Sequence, residues 1–174
     1  MVSEINVALM QKEDIPQVAE IEALAYGKHH WSKDAFYSEI DNKLARYYSA
    51  KNSQGDVVGY AGTWHIVDEA HITTIAVKPD ERRKHIAECL VVKLLDDCYN
   101  EFIKYITLEV RVSNVPAIKL YEKYGFKSLG KRKGYYQDNN EDALIMWTEN
   151  IFSDEYKQMF EKNKNELFNK VALR

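Results

Sequence analysis

Three sets of side chains in this 174-residue chain have the types and spacing to do chemistry. Arg82, Arg83 and Lys84 stand together at the mouth of what reads as a helix in VKPDERRKHIAECLV. Cations there oppose the partial positive charge of the unpaired first-turn amides, so either solvent or a bound anion must offset them. From the loop alone, a salt-screened basic turn and a phosphate site are equal readings. No GxxxxGK[ST] occurs, which excludes an ordinary P-loop. Glu109 falls on the polar side of YITLEVRV, and His71 opens HITTIAV. A carboxylate and an imidazole on neighbouring strands can relay a proton, through water if needed. The plainer alternatives are an ion pair of Glu109 with Arg111 or a nearby lysine, and a surface place for His71. Tyr121 stays protonated at neutral pH, with an ordinary phenol pKa of ~10, and can donate that proton or simply pack beside Tyr124.

Positioning these groups requires a definite order of elements. Residues 4 to 9 alternate as a first strand, and EDIPQVAEIEALAY places Ile15, Val18, Ile21 and Ala25 at near-helical spacing, with Pro16 in the first turn. A short helix is expected after Ser32 with Phe36 and Ile40 inward. ARYYSAK and VVGYAGTWHIV read as strands joined at NSQGD, and HITTIAV (71–77) reads as a third. The following helix carries Ile86, Leu90, Leu94 and Cys98 in one stripe. In YITLEVRV (105–112), Ile106, Leu108, Val110 and Val112 share one face, and Tyr105, Thr107, Glu109 and Arg111 the other. Strand, helix and strand form a right-handed crossover, so 71–77 and 105–112 should run parallel. SNVPAIKLYEKYGF is a short helix capped by Ser113 or Asn114 and ended by Gly125. Two last strands, KSLGKRKGYY and DALIMWTE, flank QDNNE. Beyond Phe152 an amphipathic helix capped by Ser153 would set Tyr156, Phe160, Leu167 and Val171 along one side, packed on its own domain.

Composition limits the partners. With 24 basic and 27 acidic residues the net charge is −3, so any basic site must be local, and neither a broad nucleic-acid footprint nor a polybasic membrane anchor is indicated. Cys89 and Cys98 lie more than two turns apart on one helix, too far to pair, and read as buried thiols of a reducing compartment. The first residues lack a basic and apolar leader pattern, and no apolar run approaches a membrane span, so a cytoplasmic protein is expected. His29, His30 and His65 lack metal-ligand spacing, and no metal site is expected.

With these residues placed, two signatures coincide. Val77, Pro79, Arg82 and Ala87 fit V-x-P-x-x-[RQ]-x-x-G-x-[GA], and Asn114, Ala117, Leu120, Tyr121, Gly125 and Phe126 fit N-x-x-A-x-x-L-Y-x-x-x-G-F. In this order, joined by this crossover, they resemble the GNAT acetyltransferases. LEVRVSN, LYEKYGF and GYY before EDALIMW are similar to the RimI-like and archaeal protein N-terminal acetyltransferase branch, over about residues 4 to 150. The resemblance implies an α/β (α+β) fold, with a central mixed, mostly antiparallel twisted sheet, a parallel splayed strand pair, flanking helices and an extra C-terminal helix. The implied division is an acetyltransferase domain over 1–152 and a helical extension over 153–174.

It also implies acetyl-CoA as cofactor, wedged between the splayed strands. Ile75, Ala76 and Val77 would offer main-chain groups to the pantetheine arm, and the backbone amide of Ile75 or Ala76 would polarise the carbonyl. Arg82, Arg83, Lys84, His85, Ile86 and Ala87 would wrap the pyrophosphate, while Asn114, Ala117 and Tyr121 would border the thioester end. Glu109 is then the base, with His71 in the proton relay, and Tyr121 donates to the departing sulfur. Transfer would be direct, without an acyl-enzyme. The acceptor would be a protein N-terminus, ribosomal proteins included, with ribosome association in prospect, held by the segment from Tyr26 to Trp31 and by Tyr135 and Tyr136. One position departs from the pattern: His85 stands where the family has glycine, and a ring turned inward would obstruct the cofactor. Two alternatives stay open: a GNAT enzyme for lysine or small amines and, suggested by His85 and the added C-terminal helix, a non-catalytic CoA-binding or interaction module.

Overall fold

A computed structural model describes residues 3–174. In chain order the elements are β1 (Ser3–Leu9), α1 (Ile15–Tyr26), α2 (Lys33–Asp41), β2 (Ala45–Lys51), β3 (Val57–Ile66), β4 (Glu69–Val77), α3 (Ile86–Asn100), β5 (Tyr105–Arg111), α4 (Val115–Lys123), β6 (Lys127–Tyr136), β7 (Glu141–Trp147), α5 (Asp154–Phe168) and β8 (Val171–Leu173). The eight strands form one sheet in the order β6-β7-β5-β4-β3-β2-β1-β8. Among the described residues, only β4–β5 and β1–β8 pair in parallel. None of the described helices is long and apolar enough to cross a membrane.

Alternation along the central strands assigns side chains to two apolar layers. Tyr47 of β2 and Tyr60 of β3 face α1 and α2 with Ile15, Val18 and Phe36; Tyr48 and Ala61 face α3 with Ile86, Leu90, Leu94 and Cys98. Because both faces are covered, β2 and β3 read as nearly continuous apolar runs. Both cysteines are buried and unpaired.

Alternation fails at one point, and there the site is made. Between Gly62↔Thr74 and Thr63↔Ile72 the register of β3 with β4 shifts, leaving Thr73 as an extra residue on β4. Such a bulge bends its strand and restarts the alternation out of phase. His71, Thr73 and Thr74 consequently share the α1/α2 side. The Thr73 hydroxyl lies 3.0 Å from that of Tyr47, and Thr74 is opposite Gly62, where a Cβ would strike the Tyr47 ring. Beyond the bulge β4 leaves β5: the parallel pair holds only from Glu69↔Tyr105 to Ile72↔Leu108.

Several expectations need correction. Strand β4 begins at Glu69, so His71 lies within it rather than at its start. Ala25 is exposed, and the buried position on that face of α1 belongs to Glu22. Of the two caps expected for α4, Asn114 is the one found. Val171 does not extend the side of α5: the helix ends at Phe168, and Val171 pairs with Ser3 in β8. The edge of β1 supplies the reason, since its unpaired amides and carbonyls are satisfied by a last parallel strand.

The tail nevertheless packs on the same core. Tyr156 donates to the Tyr124 carbonyl at 2.6 Å, and Phe160, 1% exposed, lies 5.6 Å from the Tyr99 ring. Removing a buried phenyl group usually costs about 3–5 kcal/mol. Phe160→Ala should therefore lower the urea midpoint of the whole chain in one cooperative transition; a separate early transition confined to the tail would contradict this packing.

Candidate functional site

Where β4 and β5 part, Thr73–Val77 and Glu109–Arg111 have no ladder partner across the gap. The Lys78 amide donates to Val58 of β3 at 2.8 Å, so by alternation Ala76 also turns its backbone toward β3. Ile75 and Val77 turn theirs into the cleft. The Tyr26 hydroxyl, at the end of α1, approaches the Ile75 carbonyl at 3.4 Å. Of the three expected main-chain contacts, then, Ile75 and Val77 face the gap and Ala76 does not.

The cleft has one acid–base pair on its α1/α2 side. His71 on β4 and Glu109 on β5 bring Nε2 and Oε2 to 2.5 Å. Arg132 Nε of β6 lies 3.5 Å from the other Glu109 oxygen. The His71 hydrogen bond is the main cause that holds the Glu109 carboxyl below the ordinary range, against an upward push from burial. An ionised carboxylate only accepts, so Nε2 carries the hydrogen in this contact. Arg111 is not the partner of Glu109. It pairs instead with Asp138 at 2.9 Å and Glu141 at 3.4 Å, and lies 3.9 Å over the Tyr136 ring.

A group of phenols gathers nearby, and one of them, Tyr136, is close enough to feel the charge of Glu109. Tyr121 of α4 is 4% exposed, with its ring 5.7 Å from that of Phe126. Burial pushes its hydroxyl well above the usual phenol range, and neighbouring Tyr26 and Tyr136 push it the same way. Tyr136 is raised to about 12, again by burial first. All three phenols are therefore proton donors at neutral pH. Thr74 adds a buried hydroxyl without a partner. Tyr135, half exposed, meets Tyr136 edge to face at 5.1 Å. Of the expected acceptor residues, Trp31 does not join this group: it lies in the α1/α2 apolar layer, 5.6 Å from Phe36. Asn114 caps α4, its Oδ1 accepting from the Ala117 amide at 3.4 Å.

At the other end of the gap, Arg82 to His85 approach α3. Lys84 is bound to Glu81 at 2.7 Å, whereas Arg82 and Arg83 are exposed and make no ion pair among the described residues. Arg83 and His85 adopt positive φ, +63° and +62°. For a residue with a Cβ that costs roughly 1–2 kcal/mol, less for His than for most. His85 does not cap the helix with its side chain; its ring turns to Glu88, Nδ1 to Oε2 3.2 Å. No side chain caps the first turn of α3, which follows the exposed Arg82 and Arg83 in the chain. These residues fit a diphosphate, and the unpaired Ile75 and Val77 backbone with the orphaned Thr74 hydroxyl fits an extended amide-bearing arm.

Of three buried carboxylates, Asp14, Glu22 and Glu88, the last two border the site and escaped the sequence reading. Glu22 is 3% exposed on α1, accepts from the Trp31 amide at 3.1 Å and from the Tyr60 hydroxyl, and so fixes the turn between α1 and α2 that follows Tyr26. Its signal was its place four residues after Val18 and seven after Ile15, on an otherwise apolar stripe. Glu88 is the second, and only its three donors in space identify it.

Residues 13–126 match the profile of the acetyltransferase (GNAT) family. The chain is 42% identical over 147 residues to a protein of Bacillus subtilis strain 168 provisionally named [ribosomal protein bS18]-alanine N-acetyltransferase, covering 84% of this chain and 97% of that one. It is 46% identical over 112 residues to an N-alpha-acetyltransferase of Saccharolobus solfataricus, covering 64% and 66%. The crystal structure of the Escherichia coli ribosomal-protein-S18-alanine N-acetyltransferase superposes with a TM-score of 0.77 at 30% identity, over 87% of this chain and 97% of that one.

Burial raises Glu22 from 4.5 to about 6, so through that window the folded protein retains a proton that the unfolded chain releases. Stability must then fall as pH rises across it, by about 2 kcal/mol in all. In urea unfolding from pH 4 to 7.5, Glu22→Gln should remove this part of the slope; an unchanged slope would contradict the assignment.

Proposed function

The chain belongs to the GNAT acetyltransferase family, and from that premise we propose that it transfers the acetyl group of acetyl-CoA to the α-amino group of protein N-termini, ribosomal proteins among them. The observation that carries the reading is the His71–Glu109 pair, set on the two parallel strands at the point where they part. Bound there, acetyl-CoA supplies an activated thioester acetyl group. Everything else is work for the chain's own residues.

Arg82, Arg83 and the amides of residues 85–87 bind the phosphates, and Ile75 and Val77 hold the extended arm along β4. The Ile75 N–H is the donor oriented to polarise the acetyl carbonyl. Glu109 accepts the amine proton at Oε1, directly or through one water, while the hydrogen from His71 Nε2 fixes the carboxylate. Tyr121 would donate a hydrogen bond from its phenol to the departing sulfur, which takes up the proton released by the amine. Tyr26, Tyr135 and Tyr136 border the acceptor's entry and offer hydroxyls to its backbone.

The strength of the base favours an N-terminal amine over lysine. A carboxylate held below its ordinary range is a poor proton acceptor, so it suits an amine that is already partly neutral. At pH 7 an α-amine of pKa ~8 is about one-tenth neutral, and a lysine of pKa ~10.4 only about one part in 2,500. The same chemistry suits the cytoplasm, where nascent and ribosomal N-termini are found and where the two buried thiols stay reduced.

Mass spectrometry of short peptides incubated with acetyl-CoA tests the reading. Label on the α-amine is the expected result. Label on lysine or polyamine alone would overturn the acceptor, and cofactor binding without any label would overturn catalysis. Glu109→Gln and Tyr121→Phe should each lower kcat by about 10²-fold or more, while the Kd for CoA stays within about three-fold. Undiminished kcat in both would refute the two roles.

A further inference from the structure

Glu88 lies in the first turn of α3 and is 7% exposed. Its Oε1 accepts from Lys123 Nζ at 2.6 Å and from the Tyr124 hydroxyl at 2.7 Å; its Oε2 takes His85 Nδ1 at 3.2 Å. Lys123 is the last residue of α4 and Tyr124 caps it. One carboxylate thus ties the N-terminus of α3 to the end of the helix that carries Tyr121, so it joins the two walls of the cofactor gap. Burial pushes its carboxyl up, but hydrogen bonds from Lys123, Tyr124 and His85 together hold it below the ordinary range.

This arrangement bears on the departure at position 85. With φ +62° and ψ 18°, His85 occupies the left-handed conformation that glycine adopts without a Cβ penalty. Something must hold a bulky residue there with its ring out of the loop, and the contact to Glu88 does both. We propose that Glu88 is a positioning residue for cofactor binding: it anchors the His85 imidazole against α3 and so keeps the phosphate loop in the left-handed form that the family obtains with glycine. The inference rests on reading residues 82–87 as that loop. The charge of Glu88 makes the proposal unusually testable. A carboxylate this near the helix N-terminus repels a polyanion, although Lys123 offsets part of that. If Glu88 were only an electrostatic neighbour, neutralising it would tighten CoA binding. If it acts through His85, neutralising it loosens binding.

The experiment is a double-mutant cycle on the full chain, with the Kd for CoA from calorimetry at 0.15 M salt and KM and kcat for acetyl-CoA. Glu88→Gln should weaken CoA about ten-fold, with the loss in KM rather than kcat. In the His85→Gly background the same change should alter Kd by less than two-fold, because glycine needs no anchor. Tighter binding by Glu88→Gln, an unaltered Kd, or an equal loss in the His85→Gly background would each overturn the proposal. Should Glu88→Gln fail to fold, His85→Phe keeps a ring at positive φ, removes the Nδ1 contact and leaves the bonds of Glu88 to α4; it too should lose about ten-fold, and full affinity would overturn the proposal. Absence of CoA binding by the unmutated protein is a different failure, that of the cofactor reading. A cofactor-free crystal structure of Glu88→Gln then decides the loop by itself: residue 85 out of the left-handed region supports the anchor, and φ still near +62° contradicts it.

Discussion

A parallel strand pair that holds for four residues and then lets go is the constraint from which the rest of this molecule follows. The extra residue Thr73 bends β4 away from β5 after Ile72↔Leu108, so backbone groups that a regular sheet would satisfy are presented to a ligand. The same bulge puts His71, Thr73 and Thr74 on one side, opposite Glu109. A single local irregularity therefore makes both the slot and the chemical face of the slot. The helices complete it, α3 bringing uncapped amides to one end and α4 bringing Tyr121 to the other.

Electrostatics within the gap is divided along its length. The phosphate end has exposed guanidinium groups and helix amides. The reacting end has a carboxylate held ionised and phenols held protonated, with burial responsible for the phenols and the His71 bond for the carboxylate. Such a site needs no strong base, provided the acceptor amine is already neutral part of the time. The buried carboxylates Glu22 and Glu88 lie outside the reacting centre, yet each holds a loop that borders it: the turn after Tyr26 in one case, the phosphate loop in the other.

Much of this was legible in the residues. The crossover from HITTIAV to YITLEVRV, the apolar stripe of α3 and the polar face carrying Glu109 are periodic signals, and periodicity survives folding. The basic mouth of α3 was legible as well, though not what it faces. What could not be read was whatever depends on register or on distant partners. Ala76 looks like its neighbours until the Lys78–Val58 bond shows which way it turns. The break in alternation at Thr73 has no marker such as glycine. Arg111 and Arg132 are alike as candidate partners for Glu109, and only the pairing of β6, β7 and β5 brings Arg132 to it while loop acids take Arg111. Val171 continued a helical spacing, but the open edge of β1 claimed it. The identities of His85 and Glu88 were visible; their contact, and its link to α4, was not.

The slot itself is the central claim, and the amides of β4 report on it most directly. In hydrogen-exchange NMR of the free protein, Ile75 and Val77 should exchange fast and Ala76, bonded to β3, slowly; adding CoA should slow the first two and leave the third as it was. Protection of all three before the nucleotide is added, or fast exchange of Ile75 and Val77 at saturating CoA, would contradict the account.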